Sequence, residues 1–94
     1  MANPKYNSGR ILKLAPKDDN APKRLAYVFK YPNGTEYSVR VFALNGEAVY
    51  SMRGYNSEAI ASKAIQRECY GLIEIRFKRP PSLSVLKKTI ANKH

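Results

Sequence analysis

Residues Thr35–Arg53, TEYSVRVFALNGEAVYSMR, decide how this chain folds. Along Thr35–Leu44 the side chains alternate. Tyr37, Val39, Val41 and Ala43 lie on one face of an extended chain, and Ser38, Arg40, Phe42 and Leu44 on the other. Asn45-Gly46 comes next, and an Asn-Gly pair between two such runs is the strongest short-range hairpin signal. Glu47–Arg53 then returns as a second strand.

Upstream, Leu25–Tyr31 (LAYVFKY) is rich in aromatic and β-branched residues and reads as a strand. Pro32-Asn33-Gly34 links it to the hairpin as a turn, with Gly34 able to take positive φ. Two consecutive hairpins make an antiparallel meander. Further upstream, residues 16–23 (PKDDNAPK) hold two prolines and read as a loop. Ile11, Leu12 and Leu14 form a short apolar patch, either a strand or a docking segment, after a polar lead-in.

Downstream, Asn56 or Ser57 is placed to cap a helix over about Glu58–Tyr70. Ile60, Ala61, Ala64, Ile65 and Glu68/Cys69 form its inward stripe, and Ile60, Ala64 and Ile65 are expected to cover the meander. Gly71 fits the left-handed position that ends a helix. Leu72–Lys78 then alternates as a further strand, with Ile73, Ile75 and Phe77 inward and Glu74, Arg76 and Lys78 outward. Pro80-Pro81 stops the sheet, because neither residue can donate a ladder hydrogen bond. Ser82 could cap a last short helix with an apolar stripe at Leu83, Leu86 and Ile90, which either docks on the core or frays.

The order β-β-β-α-β predicts an α+β fold, a two-layer sandwich of antiparallel meander, one helix and a fourth strand. The second face of the sheet is then open or covered by one terminus. Residues 1–24 read as a basic N-terminal segment, 25–79 as the core and 80–94 as a basic C-terminal tail. Ninety-four residues suffice for one domain.

Within Val39–Gln66 the residues Asn45, Gly46, Glu47, Ser51, Gly54, Tyr55, Ser57, Ala61 and Ile65 match a pattern of strand, N-G-E/Q, strand and helix. In this the chain resembles the small YegP-like family, over about a third of its length. The resemblance implies a β-β-β-α fold and carries no site residues. Members usually hold two tandem copies, and this chain holds one. The double-stranded-RNA-binding domain shares the β-β-β-α order but starts with a helix where this chain has a Pro-containing loop. It also places a lysine cluster where this chain has Asn56-Ser57-Glu58.

The formal net charge is +10, and it is loaded at the ends. Residues 1–24 carry six Lys/Arg against Asp18 and Asp19. Residues 25–75 balance five cations with five carboxylates, and residues 76–94 carry six cations and no carboxylate. A neutral, foldable middle between cationic ends points to an anionic partner. Cys69 is the only cysteine, so no internal disulfide forms and a reducing, cytoplasmic setting is expected. The N-terminus has no apolar run, so neither a secretory signal nor a membrane partner is expected.

Catalysis is not expected. The single histidine, His94, is the last residue, Cys69 has no obvious base beside it, and no spacing suits a metal or a phosphate loop. No cofactor is expected. The expectation is a non-enzymatic binding protein, with nucleic acid as the partner through its phosphate backbone. Its candidate residues are Arg76, Lys78, Arg79, Lys87 and Lys88, with Arg40 and Arg53 extending the surface. Tyr27, Tyr31, Tyr37 and Tyr50 offer rings that could stack on bases. The alternative is a small inhibitor or adaptor of the phage type. It would block a host defence or transcription complex by protein contact, or sequester an anionic nucleotide between subunits of a homo-oligomer.

Overall fold

In a computed structural model, which describes residues 9–82, the Asn-Gly hairpin closes as a tight turn with one bulged residue. The Gly46 N–H donates to the Ala43 carbonyl at 2.9 Å, and the Ala43 N–H donates to the Glu47 carbonyl at 2.9 Å. Gly46 takes φ 93°, which a side chain would strain, and Asn45 Oδ1 accepts from the Glu47 N–H at 2.9 Å. The earlier turn is closed by the Gly34 N–H donating to the Tyr31 carbonyl at 2.9 Å. Gly34 does not take the positive φ that was open to it.

These turns join β2 (Arg24–Lys30), β3 (Tyr37–Ala43) and β4 (Ala48–Tyr55) into the meander. Ahead of them β1 (Arg10–Lys13) forms from the short apolar patch, and after them come α1 (Glu58–Glu68) and β5 (Leu72–Phe77). The strands lie in the order β1-β5-β2-β3-β4. β5 pairs parallel with β2 and antiparallel with β1. A parallel neighbour needs a crossover, and α1 supplies it. The fold is therefore a small α+β domain, with one five-stranded sheet and one helix among the described residues. It has one strand more than expected, and part of the basic lead-in belongs to the sheet.

Ser57 caps α1, its Oγ accepting from the Ile60 N–H at 3.2 Å. Glu58 in the first turn suits the positive end of the helix dipole and also holds Arg10 of β1 at 3.1 Å. The helix ends at Glu68, with Cys69 extended beyond it. Gly71 does not end the helix in a left-handed conformation. Its lack of a side chain serves a close approach instead, because a Cβ there would fall 1.7 Å from the Pro22 carbonyl oxygen. The Gly71 carbonyl accepts from the Arg24 N–H at 2.7 Å, which locks the loop before β2 against the start of β5.

The main core lies between helix and sheet. Ala61, Ile65 and Cys69 pack on Ala26 and Val28 of β2, Val39 and Val41 of β3, and Ile75 and Phe77 of β5. Full burial of Ile65 contributes about 2–3 kcal/mol. Ile60 is 49% exposed and is not part of the core packed on the meander. At 3.6 residues per turn it stands about 140° around the helix from Ile65. The inward stripe is Ala61, Ala64, Ile65 and Cys69, and Glu68 is exposed.

A second apolar cluster occupies the opposite face: Leu25, Tyr27, Phe29 and Phe42, with Leu44 against it. The Tyr27 and Phe42 rings meet edge to face at 5.7 Å. This face is not open, since all four cluster residues are buried. The chain leaving β5 turns onto it, bringing Pro81 beside Arg40 and Phe42. The expected last helix, with Leu83, Leu86 and Ile90, lies outside the described residues.

Candidate functional site

Two arginines flank Tyr27 on the face away from the helix, one on each neighbouring strand. Arg76 of β5 and Arg40 of β3 both stand in register with it. Their surroundings differ. Arg76 was expected to project outward into solvent, and it does face away from α1, but it is only 5% exposed. Its Nη2 meets Glu74 Oε1 at 3.3 Å and its Nη1 donates to the Tyr27 hydroxyl at 3.3 Å. Glu74 in turn holds Lys13 of β1 at 3.4 Å. β1 and β2 flank β5, and Glu74 and the Tyr27 hydroxyl close around the Arg76 guanidinium. Arg76 is a structural ion pair and not a ligand-facing cation, although its Nε is buried without a partner.

Arg40 is exposed. Its Nη2 donates to the Tyr31 hydroxyl at 3.3 Å, and its guanidinium lies 5.5 Å from the centre of the Phe29 ring. Arg79 stacks over the Tyr31 ring at 5.0 Å. Phe29 supports the same ring edge to face at 5.3 Å. Arg53 is exposed, and it sits opposite Ser38 on the pair of strands where Ser51 sits opposite Arg40. The topology explains the gathering. Parallel β2 and β5 end at the same side of the sheet, which delivers Tyr31 and Arg79 there. β3 begins at that side and β4 ends there, which delivers Arg40 and Arg53.

Arg40, Arg53 and Arg79 have no carboxylate within ion-pair distance among the described residues. Lys78 is half-buried and likewise makes no ion pair there. Lys87 and Lys88 lie outside the described residues. The structure thus brings three of the expected site residues together and moves Arg76 into the fold.

Two adjoining cavities open at this cluster. The larger, about 450 Å³, is lined by Arg40, Phe42, Val49, Ser51 and Pro81 among others. The smaller, about 180 Å³, shares Arg40 and Ser51 and adds Tyr31 and Arg53. Val49 and Pro81 had no functional signal in the sequence, because the strand register and the path after Pro80 place them there.

Of the four candidate tyrosines, Tyr31 is 43% exposed between Arg40 and Arg79. Tyr27 is buried and Tyr37 packs against the helix-side core. Tyr50 is engaged with Cys69 at the end of α1. Partial burial first, and then the Cys69 thiol beside it, push its hydroxyl above the ordinary tyrosine pKa, although the residue as a whole is 38% exposed. Cys69 is buried. Among the described residues no three His, Cys, Asp or Glu side chains come together as a metal site, and no helix is long and apolar enough to cross a membrane. Comparison with known proteins finds no matching family model, no matching curated protein and no matching solved structure.

Proposed function

We propose that this protein binds nucleic acid without catalysis, and that Arg40, Arg53 and Arg79 contact the phosphate backbone. One observation carries the reading: three arginines gathered around Tyr31 with no carboxylate to neutralise them among the described residues. Unpaired guanidinium groups on one surface make a positive field, and a bound polyanion releases its condensed counterions when they replace them. Guanidinium is also suited to bidentate contact with phosphate oxygens. Tyr31 and Phe29 hold two of the three groups in place, which reduces the ordering cost on binding. The high overall charge adds a longer-range attraction.

A second reading rests on the outer edge of the sheet. β4 is eight residues long, Arg53 is its only charged side chain, and Val49 and Tyr50 are exposed on it. The opposite edge, β1, is four residues long with Arg10 and Lys13 at its ends. Short charged edges resist strand addition, and long uncharged ones invite it. A protein partner, or a second copy of this chain, would add a strand at β4, as an inhibitor or adaptor would require.

Titration against duplex DNA and single-stranded RNA at two salt concentrations separates the two. The phosphate reading expects micromolar or tighter binding that falls steeply with salt. Absence of binding at moderate salt would overturn it in favour of the β4 edge.

A further inference from the structure

We propose that the cavity of about 450 Å³ beside Arg40 takes an unpaired nucleotide, its base within the cavity and its phosphate on Arg40 and Arg53. This rests on the phosphate-binding reading above and names the class of nucleic acid it serves. The volume falls in the range of about 300–1,000 Å³ typical of small-ligand sites. The walls are of two kinds. Phe42, Val49 and Pro81 are apolar, as a planar base requires, while Arg40 and Ser51 offer hydrogen bonds to its edge or its sugar. Arg40 and Ser51 also line the smaller cavity, where Arg53 stands, so the cationic ground begins where the apolar pocket ends. Base and phosphate are joined at a similar short range in every nucleotide. A phosphate-only surface has no use for an apolar recess beside its arginines. A duplex could fill this one only by giving up a base pair. Single strands present their bases freely, and stacking or insertion of each base is sequence-tolerant.

The unpaired nucleotide has two sources, a single strand or a free mononucleotide. The test measures the full chain against a single-stranded oligonucleotide, its duplex of equal length, and an adenosine 5′-monophosphate competitor. Val49→Trp and Ala48→Phe are the variants. Both positions are exposed on β4, both line the larger cavity and not the smaller one, and neither removes a cation. The expected result is at least a tenfold preference for the single strand that either variant abolishes, with duplex affinity unchanged. Competition by the monophosphate at concentrations near its own content of nucleotide in the oligomer assigns the site to free nucleotides. Competition by oligomers alone assigns it to strands. Equal affinity for single strand and duplex, or a preference that survives both folded variants, would overturn the inference and leave the phosphate reading standing. Failure to bind either form at low salt would overturn both.

Discussion

Arg76 and Arg40 stand on either side of Tyr27, on the same face of the same sheet, and they do opposite things. Arg76 has Glu74 within reach on its own strand and Lys13 of β1 beyond it, so its charge is enclosed and balanced. Arg40 has Ser51 and Arg53 beyond it, and no anion in ion-pair reach among the described residues. The difference teaches that a strand's alternation assigns a face but not an exposure. Exposure depends on what surrounds the side chain, because β5 and β3 are both second from an edge of the sheet. Arg76 is closed in by Glu74 and the Tyr27 hydroxyl, while Arg40 lines two open cavities.

The largest effect should come from breaking the enclosed arginine. Arg76→Ala leaves Glu74 buried with only a solvent-exposed lysine, and removing one partner of a buried pair costs about 3 kcal/mol. Urea unfolding should show that loss. A stability change within error would mean that Arg76 is as free as Arg40, and the comparison would collapse. A smaller effect should come from Tyr31→Phe, which removes the hydroxyl that positions Arg40 but keeps the ring beneath Arg79. Loss of one hydrogen bond predicts about a threefold lower affinity for nucleic acid, with no change in the salt slope. The smallest should come from Lys13→Ala. Its side chain is 82% exposed, so its bond to Glu74 is worth under about 0.5 kcal/mol in the same unfolding experiment. A large loss there would show that Glu74 depends on Lys13 rather than on Arg76.

Much of this architecture was legible in the residues. The alternation of Thr35–Leu44 puts Val39 and Val41 on one face and Phe42 on the other, as found, and the structure sets the first face against the helix. Asn45-Gly46 marked the hairpin, and Ser57 marked the helix start. What escaped were consequences of long-range pairing. Nothing local to Leu72–Phe77 says that it enters the sheet parallel to β2, and that pairing is what sets Arg76 beside the Tyr27 hydroxyl. Ile60 misled because it stands about 140° around the helix from Ile65, which sets the helix phase. Gly71 was read as a helix stop, but the contact that requires it comes from Pro22, far back in the chain. Of the candidate site, Arg40, Arg53 and Arg79 were legible as charges. Their meeting at Tyr31 was not, because it depends on four strand ends converging on one side of the sheet.

The most direct measurement compares the wild type with the Arg40→Ala, Arg53→Ala, Arg79→Ala triple variant in single-strand binding across a range of salt. Three lost phosphate contacts predict that the slope of log K against log salt becomes shallower by about 2, with unfolding stability nearly unchanged because all three side chains are exposed. An unaltered slope in a folded triple variant would contradict the account and place the phosphate contacts elsewhere in the chain.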